Sequence, residues 1–145
     1  MSAGTMCSRV VVTATPAETV RVAARRMAEH EVGTVVVVEA DGAPEPIGMV
    51  TDRDIAVRCV AGGLDPAKTP VSKIMSKPVY SVDEDTPVEE AIAMMARAAT
   101  RRLVVTGAAR GLAGILSLDD IVDLLATEAR SIGRLLEKQE PRVSA

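Results

Sequence analysis

The chain has 145 residues, 20 acidic and 17 basic side chains, a formal net charge of −3 and 48% hydrophobic residues. This length fits one ordinary domain or two small units that share a core, and a mean hydropathy of +0.20 excludes a disordered chain. The acidic balance and the scarcity of aromatic residues, of which Tyr80 is the single example, argue against nucleic-acid binding by charge or by base stacking.

Nothing in the sequence predicts export or membrane insertion. No apolar run approaches the roughly 20 residues of a spanning helix, and the N-terminus has no basic segment followed by an apolar one. Cys7 and Cys59 match no zinc or redox spacing, so we expect two small buried thiols. These features predict a cytoplasmic protein with no metal site and with neither membrane nor nucleic acid as a partner.

In chain order, the first half reads as β-α-β-β-α. A short strand is predicted at 10–13, followed by a helix whose apolar positions have the spacing of one buried face. Two strands are predicted at 34–38 and 48–50, with a turn at 41–44 between them. A second helix should open at Thr51 and end near the glycines at 62–63.

The second half repeats this order. Strands are predicted at 79–82, 102–106 and 114–116, and the helix after the first of them should start with a capping box at Thr86-Pro87-Val88-Glu89. The last helix should run from Asp119 to about Glu140. Shifts of 68 and then 66 residues superpose the halves, as three pairs of segments show: 20–28 with 88–96, 36–37 with 104–105, and 48–51 with 114–117. The chain is therefore interpreted as a tandem duplication.

Each repeat has about 60 residues, too few to bury its own sheet, so the two are expected to pack face to face. The predicted divisions are a first unit at 5–63, a linker at 64–73, a second unit at 74–128 and a C-terminal helical extension and tail at 129–145.

Both repeats contain the pattern Gly-h-h-Thr/Ser-x-x-Asp, where h is apolar. Its hydroxyl and acidic positions are Thr51 and Asp54 in the first repeat and Ser117 and Asp120 in the second. Glycine allows close backbone approach. The hydroxyl and the acid can simply cap a helix, or they can bind a polar ligand; the residues alone leave both readings open.

The tandem order, the two motifs, Ile74-Met75 before the second repeat and the linker Gly63-Leu64-Asp65-Pro66 resemble the CBS-domain family, specifically a stand-alone tandem pair, or Bateman module. The resemblance covers roughly residues 5–128. It implies an α/β (α+β) fold in which two β-α-β-β-α CBS motifs pack pseudo-symmetrically through their sheets.

The resemblance also implies an adenosyl ligand (AMP, ADP, ATP, NAD or S-adenosylmethionine) in the cleft between the motifs, with no required cofactor. The motif acid would accept hydrogen bonds from the ribose diol, since a carboxylate offers two charge-assisted acceptors, and the hydroxyl would hold the ribose-phosphate. The implied half-sites are Thr13, Val35, Met49, Thr51 and Asp54 in the first repeat, and Ser81, Leu103, Ile115, Ser117 and Asp120 in the second.

Arginines are the candidate phosphate ligands: Arg101 and Arg102 before a strand of the second repeat, and Arg53 with Arg58 on a helix of the first. Each could equally be a solvated surface residue. The first repeat has Gly33-Thr34 where the second has the arginine pair, so the phosphate environments of the two half-sites are expected to differ.

An enzyme is not predicted, because His30 is the only histidine and no glycine-rich phosphate loop occurs. We expect a non-catalytic regulatory sensor; the alternative is a ligand-free oligomerisation or protein-interaction module. The resemblance further implies a homodimer, and any signal would pass to a separate effector chain. The last helix has an apolar stripe that could serve the dimer or pack on its own unit, at Ile121, Leu125, Ile132, Leu135 and Leu136.

Overall fold

The structure is a computed structural model that describes residues 1–40, 45–139 and 141. A short helix, α1 (Ala3–Met6), precedes the first repeat, and two 3-10 turns lie at Val71–Lys73 and Ala108–Arg110. The first repeat consists of β1 (Thr13–Ala14), α2 (Val20–His30), β2 (Thr34–Val38), β3 (Pro46–Thr51) and α3 (Asp52–Asp54), which continues as a π-helical segment over Ile55–Val60. The second repeat consists of β4 (Ser81–Asp83), α4 (Val88–Ala98), β5 (Arg102–Thr106), β6 (Leu112–Ser117) and α5 (Leu118–Gln139).

The two repeats form two three-stranded sheets of identical topology. In each, the first strand runs parallel to the middle strand and the third runs antiparallel to it, giving the orders β1-β2-β3 and β4-β5-β6. The predicted fold class is confirmed. The middle strands have the predicted bounds, and α5 follows the prediction to Gln139, with Glu140 outside the described residues. The predicted turn at 41–44 also lies outside them.

Two local predictions were wrong. The first strands of the repeats begin later than predicted, at Thr13 and Ser81, because the residues before them cross to the other repeat. The Thr86 capping box does not form. The Thr86 N–H, which the box would direct to Glu89, donates instead to the Asp83 carbonyl oxygen at 3.0 Å. The Thr86 carbonyl oxygen accepts a hydrogen bond from Ala3 N at 2.7 Å, and α4 has Pro87 as N-cap without a side-chain cap.

The segment before each repeat packs on the other repeat. Helix α1 lies against the second sheet, where Ser8 and Ile115 exchange two backbone hydrogen bonds of 2.8 and 3.0 Å. Likewise, Ser76 exchanges hydrogen bonds of 2.8 and 3.1 Å with Met49 of the first sheet, and Ile74 is buried in the first core. Each sheet is thus extended by chain that leads into the opposite repeat.

The sheets meet through a shared apolar cluster. Val36, Val38 and Val104 are at most 2% exposed and form its centre, with Met49 and Ile115 packed against it. Alternate residues of the same strands point the other way, towards the helices of their own repeat. The two repeats therefore share one interface core, as predicted. None of the helices in the described part of the chain is both long and apolar enough to cross a membrane.

Candidate functional site

The glycine of each motif makes room for the chain that crosses from the other repeat. A Cβ atom at Gly48 would lie 2.5 Å from Met75 Sδ, and one at Gly114 would lie 2.5 Å from Cys7 Sγ and 2.6 Å from the Ser8 carbonyl oxygen. This close approach was the predicted role of the glycines. It also half-buries Cys7, whose thiol was predicted to be buried, and burial raises the pKa of that thiol.

At Thr51 the motif forms a reciprocal capping box. Thr51 Oγ1 accepts a hydrogen bond from Asp54 N at 3.1 Å, and Asp54 Oδ2 accepts one from Thr51 N at 2.9 Å. Ser117 and Asp120 repeat the arrangement, and there Ser117 Oγ also donates to Asp120 Oδ2 at 2.6 Å. The capping role therefore exists in both repeats. The second oxygen of the Asp54 carboxylate, Oδ1, lies 3.8 Å from Arg58 Nη2 in an ion pair, too far for a direct hydrogen bond, so it can still accept one from a ligand.

The Asp54 carboxylate lines a groove between the two motifs. This first groove has a volume of about 380 Å³ and is formed where the Thr51 motif faces the crossing segment 76–80 and the start of β5. The Asp54 side chain is 15% exposed there, whereas Asp120 is exposed to solvent. The groove is lined by Met49, Thr51, Arg53, Asp54, Ser76, Lys77, Pro78, Val79, Tyr80, Ala98, Ala99, Thr100, Arg101 and Arg102.

The first groove carries an excess of positive charge: among the described residues, four basic side chains line it, against Asp54 as the single acid. Arg101 is partly neutralised by Asp119 at 2.9 Å. Arg53, Lys77 and Arg102 make no ion pair with another described residue. An anionic group in this groove would therefore meet cations that are free to bind it.

The comparison with protein families decides the identity of the fold. The family model for the CBS domain matches the chain twice, at residues 3–60 and 71–127. The chain belongs to the CBS-domain family. Its two repeats are the CBS motifs, and the proteins of this family are generally regulatory rather than catalytic.

Several relatives are similar over most of the chain. The uncharacterized protein MK0525 of Methanopyrus kandleri is 37% identical over 124 residues, which are 86% of this chain and 62% of that protein, so the chain spans less than two thirds of its length. The CBS domain-containing protein YhcV of Bacillus subtilis is 40% identical over 111 residues, 77% of this chain and 76% of that protein.

Among solved structures, the CBS domain protein PAE2072 from Pyrobaculum aerophilum complexed with AMP has a TM-score of 0.75 and 31% sequence identity. The similarity covers 88% of this chain and 99% of that one. That structure is a relative that holds an adenine nucleotide.

The structure brings six of the predicted site residues together and separates the rest. Met49, Thr51, Arg53, Asp54, Arg101 and Arg102 line the first groove. Val35 and Leu103 do not: both are 0% exposed and lie in the helix-facing cores of their own motifs. Since side chains alternate along a strand, it is Val36 and Val104 that face the other motif.

The remaining predicted residues lie outside the first groove. Thr13 is on the edge strand β1, where its carbonyl accepts a hydrogen bond from Arg26 at 2.8 Å. Ile115, Ser117 and Asp120 belong to the second motif, and Ser81 lines a different groove. Arg58 is used structurally, because it donates to the Ile74 carbonyl oxygen at 2.8 Å and so ties the π-helical segment to the crossing chain.

Sequence reasoning missed Lys77 and Tyr80, which the crossing segment brings to the first groove. Their sequence signal was present but indirect. In the alignment of the two repeats, Lys77 and Tyr80 are equivalent to Arg9 and Val12. Each half-site combines the motif of one repeat with the crossing segment that leads into the other.

A second, larger groove of about 870 Å³ lies on the far side of Pro78 and Val79. It contains Ser81 but neither motif, and its charged lining is more acidic than basic: Glu45, Asp83 and Glu90 against Arg97 and Arg110. Its charge is less suited to a phosphate than that of the first groove, in spite of its greater size.

Proposed function

We propose that this CBS pair is a non-catalytic regulatory module that binds a phosphorylated adenosyl ligand in the first groove. The observation that carries the proposal is that one groove brings together the motif hydroxyl and carboxylate with three cations that make no ion pair within the described part of the chain. The AMP complex of PAE2072, at 31% identity, supports an adenine nucleotide as the ligand class.

Each group has a distinct part in the proposed complex. Asp54 would accept from the ribose diol through Oδ1, the oxygen that does not cap Thr51 and that lies 3.8 Å from Arg58 Nη2. Arg53, Lys77 and Arg102 would bind phosphate oxygens. Tyr80, 46% exposed, offers a ring face to the purine.

A ligand held in this way would contact both motifs, because Thr51 and Asp54 come from the first and Lys77 and Arg102 from the second. Binding would therefore stabilise the packing of one motif on the other. That coupling is the proposed route from ligand to signal, with a separate effector chain as its receiver.

The equivalent half-site, around the second motif, differs in charge from the first groove, and we expect it to bind phosphate poorly. The repeat puts Asp119 in the place of Arg53, Gly33 and Thr34 in the places of Arg101 and Arg102, and Arg9 in that of Lys77. Arg9 is bound to Glu84 at 2.5 Å. The counterparts of the groove's charged residues thus amount to one base, already paired, and two acids.

Calorimetric titration with AMP, ADP, ATP, NAD and S-adenosylmethionine tests the proposal. Asp54→Ala should weaken binding by about tenfold to a hundredfold, as the loss of charged hydrogen bonds costs about 1.5–3 kcal/mol. Asp120→Ala is the matched control, since it removes the same cap from the other motif, and it should change the affinity by less than about twofold. An equal loss of affinity in both variants, or no loss in either, would contradict the proposed ligand site at Asp54.

A second comparison separates the phosphate cations from the ribose contacts. Lys77→Gln combined with Arg102→Gln should weaken AMP more than adenosine, which has no phosphate. If both ligands weaken equally, the cations do not bind phosphate. If none of the ligands binds the wild-type chain, the alternative prediction, a ligand-free interaction module, is favoured.

A further inference from the structure

The outer edge of strand β1 is covered by side chains of its own motif. The Thr13 carbonyl oxygen accepts a hydrogen bond from Arg26 Nη1 at 2.8 Å, and Thr15 N donates one to Glu18 Oε2 at 2.8 Å. Arg26 and Glu18 are joined to each other by two hydrogen bonds of 2.6 Å. This pair therefore gives one donor and one acceptor to backbone groups that no neighbouring strand reaches.

The second motif has no such pair at the equivalent positions. The 68-residue shift puts Met94 in the place of Arg26 and Thr86 in the place of Glu18. A methionine sulfur cannot donate a hydrogen bond, and neither side chain bonds to β4 within the described part of the chain. The outer edge of β4 therefore lacks the cover that β1 has.

Two backbone groups of β4 are open as a result. Val104 N of β5 donates to the Tyr80 carbonyl oxygen at 3.0 Å, and Glu84 N donates back to β5 at 3.0 Å. Because backbone groups alternate in direction along a strand, the Ser81 carbonyl and the Asp83 N–H point away from β5. Neither has a hydrogen-bond partner among the described residues. One residue of an added parallel strand would bond to both groups at once.

This open edge forms part of the second groove, which has a volume of about 870 Å³. Ser81 and Asp83 of β4 line it, and helix α4 contributes Glu90, Met94 and Arg97. From Glu90 to Arg97 the helix rises about 10 Å, which equals about three residues of extended chain. The groove is therefore long enough for a short strand beside β4.

The charges of the second groove indicate the chemistry of such a strand. Three acids line it, against two bases, and none of the five forms an ion pair with another residue in the ranges that the structure describes. They are Glu45, Asp83 and Glu90, with Arg97 and Arg110. A segment with basic side chains would therefore meet carboxylates that are not already neutralised.

We propose that the edge of β4 is a docking site for an extended segment of a partner protein, with basic side chains directed to the carboxylates of the second groove. The segment would add one strand to the second sheet, and its backbone would make the two hydrogen bonds that Arg26 and Glu18 make at β1. The proposal rests on the β4 edge and is independent of ligand binding in the first groove.

Nuclear magnetic resonance of the ¹⁵N-labelled full chain tests the docking site with a synthetic peptide, acetyl-Val-Arg-Val-Arg-Val-amide. Its β-branched residues favour an extended chain. The Asp83 amide resonance should shift and saturate within about 5 mM peptide, whereas the amide of Thr15, which is already bonded to Glu18, should not move. The peptide with glutamate in place of arginine should bind at least about threefold more weakly. An unmoved Asp83 amide, an equal shift at Thr15, or equal binding of the two peptides would overturn the proposal.

Two sets of variants test the edge and its charge separately. Thr86→Glu with Met94→Arg copies the pair that covers β1 and should abolish the Asp83 shift. Glu90→Lys should weaken the arginine peptide by at least about threefold, and Glu89→Lys, a change at the neighbouring residue outside the groove, is the matched control and should alter the affinity by less than about twofold. Full binding to the double variant, or equal losses in the Glu89 and Glu90 variants, would contradict the docking site. Circular dichroism checks the fold, and the comparison of Glu90 with Glu89 decides if the double variant is unfolded.

The Asp83 resonance also separates two other occupants of the edge. Free arginine, titrated over the same range, offers a guanidinium without a strand and should leave Asp83 unmoved; a shift equal to that with the peptide would indicate a side-chain site. Dilution of the protein alone should also leave Asp83 unmoved, and a shift on dilution would show that a second copy of the chain covers the edge. Either shift would overturn the proposal.

Discussion

Replacing Gly114 by alanine should destabilise the fold much more than the same change at Gly48. The added Cβ at 114 would lie 2.6 Å from the Ser8 carbonyl oxygen, which accepts one of the two hydrogen bonds between Ser8 and Ile115. Backbone cannot rotate away as a side chain can. The expected cost is about 1–3 kcal/mol of overpacking and about 1 kcal/mol for a weakened hydrogen bond.

At Gly48 the nearest atoms belong to one flexible side chain. The new Cβ would lie 2.5 Å from Met75 Sδ, 3.0 Å from its Cγ and 3.3 Å from its Cβ. Met75 can change rotamer, and alanine reduces the entropy of the unfolded chain by an amount worth about 0.4–1 kcal/mol. At Gly48 the cost of moving the Met75 side chain and the gain from the lower entropy of the unfolded chain should nearly cancel.

Thermal unfolding followed by circular dichroism measures the difference. For a chain of this size 1 kcal/mol corresponds to about 2–4 °C, so Gly114→Ala should lower Tm by about 4–16 °C and Gly48→Ala by no more than about 4 °C. Equal losses in the two variants would refute the argument that the crossing backbone, rather than a nearby side chain, makes glycine necessary at position 114.

Three further predictions concern single groups. Hydrogen bonding to Arg26 lowers the pKa of the Glu18 carboxyl, so this pair stabilises the fold above the unfolded pKa of about 4.3, and the stabilisation is lost as the pH falls through the folded pKa. Between neutral pH and about pH 3, the Tm of Glu18→Gln should therefore fall by less than the Tm of the wild type. An equal fall in Tm would contradict this. Thr34 Oγ1 is buried with no hydrogen-bond partner among the described residues, so Thr34→Val should leave the free energy of unfolding unchanged or raise it by about 1 kcal/mol, and a lower value in urea unfolding would be evidence against it. Because burial raises the pKa of the Cys7 thiol, Cys7 should react with a disulfide reagent more slowly than glutathione at pH 7; an equal rate, measured with Cys59→Ser, would count against a buried thiol.

The sequence predicted those elements whose periodicity is strong. The middle strands follow from apolar runs and α5 from its apolar stripe, and the repeat predicted that the strands occur twice. It could not predict which face of β2 meets the other motif, because four successive valines, 35–38, carry no alternation of polar and apolar residues. For this reason the prediction chose Val35 and Leu103, whose side chains lie in the helix-facing cores of their motifs.

The composition of the first groove was the second point that the sequence did not reveal. Lys77 and Tyr80 reach it because Ser76 pairs with Met49 through two backbone hydrogen bonds, a contact between distant segments with no local signature. The Thr86 capping box did not form although its local pattern favoured it, because the Thr86 N–H donates to the Asp83 carbonyl oxygen in the preceding turn.

Tyr80 provides the most direct test of the proposed ligand site, since it is the only tyrosine of the chain and lines the first groove. In protein labelled with ring-¹³C tyrosine, the Tyr80 resonances should shift during titration with AMP and saturate with the calorimetric affinity. The shift should disappear in Asp54→Ala and persist in Asp120→Ala. An unchanged Tyr80 signal in wild-type protein that binds AMP by calorimetry would show that the nucleotide occupies another site.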